Sequence, residues 1–292
     1  RFAVGDRVVF SLVPSCGHCV PCSEGRPVLC EDAAVHNGAG ELMSGERRLS
    51  RAGQPVNHMV GVSAFAEYSV VSENSLVKVP EEIPFDVAAL FGCAVITGVG
   101  SVMNTNALKL GGTVAVIGLG GVGLSAVLGA VAAGAERIIA IDRLEDKLAF
   151  ARQIGATDTF LASDDSVWQE IREATRGGVD LAVELAGSVK AIELAYAITR
   201  RGGTTVTVGL PNPQAVLTLP ALSLVAEERT LKGSYVGSAV ARRDLPRLMA
   251  LYARGRLPVD RLMTHKLQLE DINLAMERLR VGEAIRQVIE FS

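Results

Sequence analysis

The sequence predicts an α/β protein, a doubly wound parallel sheet set into a β-rich module, and three observations carry that expectation. From residue 113 onward, apolar β-branched runs alternate with stretches of helical periodicity. A glycine-rich turn, Gly118 to Gly123, sits where the first of those runs gives way to a helix. Before residue 80 the chain reads instead as short strands and turns.

The strands expected in the alternating region are 113–117, 137–142, 159–161, 179–185, 204–209 and 229–236. Helices are expected between them at 121–133, 144–155, 167–175, 189–199 and 220–226. Strands apolar along their whole length pair in parallel and need helices on both faces. In the first module, strands are expected at 8–13 and 66–71, with a loop rich in Gly, Ser and Arg over 39–55 between them. Helical stretches are expected over 84–108, and helices at 242–254 and 267–280 precede a final strand at 284–291. The last three cannot extend a finished sheet, so they are expected to return to the first module. The resulting division is residues 1–94, 95–236 and 237–292.

With 292 residues, 49% of them hydrophobic and 21% charged, the chain buries the core of about two domains. A net charge of −3 and the lack of a basic stripe exclude a nucleic-acid partner, whose phosphates demand concentrated positive charge. Two uncharged stretches, 87–108 and 110–135, are long enough for a membrane helix. The second is glycine-rich and opens on a β-branched run, so a buried strand turning into a buried helix accounts for it better. The first is interrupted by Gly92, Gly98, Gly100, Asn104 and Asn106. The opening Arg1-Phe2-Ala3-Val4-Gly5-Asp6-Arg7 places charges where a signal peptide needs an apolar run, so a cytoplasmic location is expected. The same stretch reads as the middle of a β-rich domain, so residues ahead of Arg1 are expected as well.

Gly118-Leu119-Gly120-Gly121-Val122-Gly123 follows a strand and opens a helix. In that context Gly118 permits the tight turn, Gly120 lets a pyrophosphate approach the backbone, and Gly123 lets the helix pack closely on the sheet. Asp142, at the end of the second strand, lies 19 positions beyond Gly123. Its carboxylate would accept a ribose 2′-OH and repel a 2′-phosphate, which favours NAD over NADP. The adjacent Arg143 weakens that preference, because a guanidinium can neutralise a phosphate.

Cys16, Cys19, Cys22 and Cys30 form a Cys-x2-Cys-x2-Cys-x7-Cys pattern, a spacing that suits zinc. Four thiolates close a tetrahedron and leave no open position, so such a site is structural. Disulfides are disfavoured without a secretory signal, and an iron–sulfur cluster is the chemical alternative. His18 inside the motif reads as a surface residue. Cys93 stands alone in an apolar segment and, by itself, reads as a small hydrophobe.

The ordered set of the four-Cys lobe with Gly25, Gly61-Val62-Ser63-Ala64-Phe65-Ala66-Glu67-Tyr68, Gly92-Cys93 with Thr97-Gly98, the glycine turn with Asp142 and Lys147, and Gly282-Glu283-Ala284-Ile285-Arg286 resembles the zinc-dependent medium-chain alcohol dehydrogenases, in the branch of the class I and class III enzymes. The resemblance covers essentially the whole chain and implies a Rossmann sheet inserted into a β-rich, GroES-like catalytic domain. It implies structural and catalytic zinc, NAD, and hydride transfer between NAD and an alcohol, an aldehyde or a thiol adduct of an aldehyde. Cys93 matches the position of a catalytic-zinc ligand. Gly118, Gly120, Gly121, Val122 and Gly123 match the cofactor turn, and Thr97 and Val208 match positions that line the cofactor. Lys147 and Arg286 match positions that hold a ribose and a cofactor phosphate.

The family's two other catalytic-zinc ligands and its proton-relay hydroxyl belong to segments preceding the match to Arg1, and none of His36, His58 or His265 matches a ligand position. The 292-residue chain alone is therefore expected to lack turnover. Subunit pairing through the last strand of the sheet is implied, giving a homodimer or homotetramer. The rival readings are a non-catalytic NAD-binding relative and a zinc-free quinone or enone reductase, against which the four-Cys lobe counts.

Overall fold

The computed structural model describes residues 1–105, 108–162 and 166–291. Asn106, named above among the interruptions, lies outside the described residues. The chain separates into two compact units, one of residues 1–96 and 239–292 and the other of residues 97–238.

The second unit is a six-stranded sheet. Its strands run Thr113–Ile117, Arg137–Asp142, Asp158–Leu161, Val179–Glu184, Thr199–Thr207 and Thr230–Gly233. Numbered in that order, they lie side by side as third, second, first, fourth, fifth, sixth, and every pairing is parallel. The order reverses between the first and fourth strands, where Ile117 is level with Glu184. Val114, Ala115, Val116, Ile139, Ile141, Leu181 and Val183 are fully buried, as strands covered on both faces require. Helix Gly121–Ala132 is buried along nine of its residues, which explains a charge-free stretch in a protein interior.

The expected sixth strand ends early, at Gly233 instead of residue 236. Val236 and Gly237 adopt left-handed backbone (φ 46° and 66°), which no strand accommodates. The fifth strand starts earlier than expected, at Thr199, and its register against the fourth shifts between Val179 and Leu181.

In the first unit, strand Val8–Phe10 pairs antiparallel with Leu76–Lys78. The strand expected at 66–71 is not formed. No described strand offers that segment a ladder, and the Ser69 hydroxyl instead donates to the carbonyls of Val62 (2.6 Å) and Ser63 (3.1 Å), fixing it as a loop. Within the expected loop 39–55 the chain forms a hairpin, Leu49–Arg51 with Gln54–Val56, turned by Ala52 and Gly53, both at positive φ. Strand Met263–Leu267 pairs in parallel with Arg286–Ile289. Residues 263–267 alternate in burial, and the helix expected from 267 begins only at Ile272.

Helix Phe85–Leu90 runs through a π-helical turn, Phe91–Val95, into helix Ile96–Met103. Phe85–Met103 is the one described helix long and apolar enough to cross a membrane, yet 67% of its apolar window is buried within the protein. It is a core helix.

Candidate functional site

The cysteine lobe is built from short turns with little apolar core. Gly17 takes a left-handed φ of 86°, letting Cys16 and Cys19 face one another. Cys19 precedes helix Val20–Ser23, and Cys30 precedes helix Glu31–Ala39. Both residues therefore occupy helix N-caps. Cys30 Sγ accepts from the N–H of Cys16 (3.3 Å) and of Ala33 (3.5 Å), and Cys16 Sγ accepts from the N–H of Cys19 (3.3 Å).

All four sulfurs lie within 4.8 Å of one another. Cys16 and Cys22 are 3.9 Å apart, close to the edge of about 3.8 Å for a tetrahedron with Zn–S bonds of about 2.3 Å. The residues thus fit a zinc ion. Backbone hydrogen bonding from Glu31 draws the Cys19 thiol down to about 7, whereas burial pushes Cys22 up to about 12. His18, 76% exposed, turns to Asp32 at 3.5 Å on the rim.

Cys93 lies within the π-helical turn, a form that recurs at functional sites because one extra residue re-aims the side chains around it. Gly92 makes that position attainable, since a Cβ there would meet the Phe10 carbonyl at 2.5 Å. Cys93 is exposed, which overturns its reading as a small core hydrophobe. It borders a mainly apolar cavity of about 360 Å³ whose walls include Phe65, Leu90, Ala94 and Arg286. Burial lowers the pKa of Arg286, whose Nε has no hydrogen-bond partner among the described residues. Among the described residues Cys93 belongs to no group of three ligand side chains. His36 pairs with Glu41 at 3.3 Å, His58 is buried, and His265 contacts Thr264 at 3.0 Å.

In the second unit the chain leaves the first strand at Gly118, whose φ of 89° requires glycine. A Cβ at Gly123 would stand 1.8 Å from the Gly118 carbonyl oxygen, so the helix packs on the turn backbone to backbone. At Gly120 a Cβ would meet nothing within 4 Å, which leaves room for a ligand. No side chain caps helix Gly121–Ala132, so its first N–H groups have no side-chain acceptor, the arrangement that binds phosphate. Asp142 Oδ2 accepts from Leu119 N–H at 2.6 Å, and Oδ1 accepts from the N–H groups of Arg143 and Leu144. This cradle fits a dinucleotide.

Thr97 and Val122 are half-buried, and a Cβ on Gly98, beside Thr97, would meet the Val122 carbonyl at 2.2 Å. Val208 follows the fifth strand and donates its N–H to the Glu184 carbonyl at 2.9 Å. Lys147 is half-buried on helix Glu145–Gln153. Sequence reasoning missed Glu184, which ends a strand that also carries Asp180 and so did not stand out as a lone carboxylate.

Residues 121–254 match the family described as zinc-binding dehydrogenase, and residues 1–81 match the alcohol dehydrogenase GroES-like domain. The class-3 alcohol dehydrogenase of Myxine glutinosa is 37% identical over 293 residues, covering 99% of this chain and 78% of that protein. The chain belongs to the zinc-binding alcohol dehydrogenase family. The class-3 enzyme of Drosophila melanogaster is likewise 37% identical, over 100% of this chain and 78% of its own length. Among solved structures, an alcohol dehydrogenase zinc-binding domain protein from Burkholderia ambifaria superposes with a TM-score of 0.94 at 34% identity, covering all of this chain and 79% of that one. Benzyl alcohol dehydrogenase from Acinetobacter calcoaceticus gives 0.93 at 30% identity, with the same coverage. Family membership makes the chain an oxidoreductase and agrees with both parts of the expected fold, the GroES-like module and the parallel dinucleotide-type sheet.

Proposed function

We propose that the protein is an NAD-linked, zinc-dependent alcohol dehydrogenase acting on a small alcohol, an aldehyde or a thiol adduct of an aldehyde. The observation that carries this reading is the exposed Cys93 at the edge of an apolar cavity, in a chain that also holds a four-thiol lobe and an uncapped glycine-turn helix. When bound, zinc supplies Lewis acidity toward a hydroxyl and NAD supplies the hydride acceptor. Cys16, Cys19, Cys22 and Cys30 hold the structural ion, and Cys93 gives one thiolate ligand to the catalytic one.

The residues of the chain divide the remaining work. The N–H groups of residues 120–123 receive the pyrophosphate, and the remaining lone pair of Asp142 accepts the ribose 2′-OH while its charge rejects a 2′-phosphate. Lys147 is assigned to a ribose, Arg286 to a phosphate, and Thr97, Val122 and Val208 to the cofactor's walls. Phe65, Leu90 and Ala94 line the apolar cavity beside Cys93 and receive the carbon skeleton of the substrate.

The protein is further proposed to work in the cytoplasm as at least a homodimer. Strand Thr230–Gly233 pairs on one side with the fifth strand alone, and Leu222 and Val225 nearby are 77% and 79% exposed. The test of function is alcohol-dependent NADH formation by zinc-loaded protein expressed from its full reading frame. Turnover that Cys93→Ala abolishes while NADH binding persists supports the proposal. Turnover unchanged by Cys93→Ala, or no turnover with any of the three substrate classes, contradicts it.

A further inference from the structure

We infer that Glu184 is a positioning residue that sets the wall of the nicotinamide half of the cofactor site. The inference rests on the NAD reading and concerns a residue that reading does not use. Glu184 ends the fourth strand and is fully buried. No lysine or arginine forms an ion pair with it among the described residues. A buried carboxylate without a cation is costly unless its oxygens are hydrogen-bonded, and here both are.

Oε1 accepts the Gly187 N–H at 2.6 Å, in the loop leaving the fourth strand. Oε2 accepts the Thr207 hydroxyl at 2.9 Å, at the end of the fifth strand. The Glu184 carbonyl accepts the N–H groups of Val208 (2.9 Å) and Gly209 (3.2 Å). One residue thus fastens the two loops at the carboxyl ends of adjacent strands to each other. They are drawn so close that a Cβ on Gly209 would lie 2.2 Å from the Gly187 nitrogen.

Those loops stand where a second nucleoside is received. Ligands of such sheets sit beyond the carboxyl ends of the strands at the point where strand order reverses, here between the first and fourth strands. Asp142 assigns the adenosine ribose to the half built on the first three strands. The half built on the fourth and fifth strands, including Val208, is left for the nicotinamide nucleoside. An apolar residue at position 184 would fill the space but would free Gly187 and Thr207, and Val208 would lose its fixed height against the ring. Glutamine preserves the pattern, because its oxygen accepts from Gly187 and its amide donates to the Thr207 oxygen.

The test is fluorescence titration with NADH, paired with calorimetric titration of AMP, which occupies the adenosine half alone. Glu184→Ala is expected to weaken NADH binding about tenfold or more and to leave AMP binding within about twofold. Glu184→Gln is expected to restore NADH binding to within about threefold of the unaltered protein. Should Glu184→Ala not fold, Thr207→Val removes one of the two side-chain bonds and is expected to weaken NADH, and not AMP, about threefold. Equal NADH affinity in unaltered and altered proteins overturns the inference, as does a parallel loss of NADH and AMP, the mark of general loosening. An unaltered protein that binds no NADH overturns the cofactor reading itself and the inference with it.

Discussion

The Asp142 carboxylate accepts the Leu119 N–H at 2.6 Å, so the acidic end of the second strand is tied directly to the glycine turn of the first. One side chain therefore shapes the turn and presents charge to the adenosine ribose. Asp142→Asn keeps an acceptor for Leu119 and removes the charge. It is expected to weaken NADH about tenfold, the scale of one charge-assisted hydrogen bond, and to improve NADPH. Asp142→Ser, which loses both roles, is expected to weaken NADH further while relaxing the preference against NADPH. Titration of the unaltered protein showing tighter NADPH than NADH contradicts this assignment.

Two glycines of the same turn separate fold from binding. A Cβ at Gly123 collides with the Gly118 carbonyl, whereas a Cβ at Gly120 points into open space. Gly123→Ala is expected to lower stability by about 1–3 kcal/mol or prevent folding, as forced overpacking does. Gly120→Ala is expected to leave the thermal midpoint nearly unchanged and to weaken NADH. If both variants lose the same stability, the open space at Gly120 has been misassigned.

The four-thiol lobe has few buried apolar residues to hold it, Cys30 and Ala33 among them, so metal is expected to supply its stability. Cys19→Ser is expected to abolish one zinc per chain by elemental analysis and to open the lobe to proteolysis. Zinc content unchanged by Cys19→Ser, or iron in its place, refutes the tetrathiolate site.

His58 supplies a pH dependence. It is 3% exposed, its Nε2 accepts the Arg48 N–H at 3.1 Å, and its Nδ1 is buried with no hydrogen-bond partner among the described residues. Burial lowers its pKa from the ordinary 6.5, so the folded state favours the neutral ring. Its contribution to stability is full above pH 6.5 and is lost as pH falls through the lowered folded value. His58→Asn is expected to flatten the fall in urea midpoint below pH 6.5. An unchanged slope in that variant rules His58 out as its source.

The centre of the sheet was legible because its strand interiors are unbroken apolar runs, so Thr113–Ile117 and Arg137–Asp142 are located to the residue, whereas the polar start of Thr199–Thr207 gave no such signal. The first module was less legible, since its strands are three residues long and depend on distant partners. Ala66 to Val71 has strand composition, yet its fate turns on whether a ladder lies beside it. Ala52-Gly53 turns a hairpin although Ala does not favour positive φ, so the pair did not announce the turn. At the candidate site, spacing alone picked out the four cysteines and the glycine turn. No periodicity announces the π-helical turn that carries Cys93, and Glu184 acquires its partners only when the fourth and fifth strands come side by side.

Native mass spectrometry of the purified protein with NADH and with NADPH tests the central claim most directly. The expected spectrum shows each chain carrying at least one zinc and one NADH, with NADH retained in preference to NADPH. Chains that carry no zinc, or that retain neither nucleotide, would contradict a zinc-dependent, NAD-linked dehydrogenase.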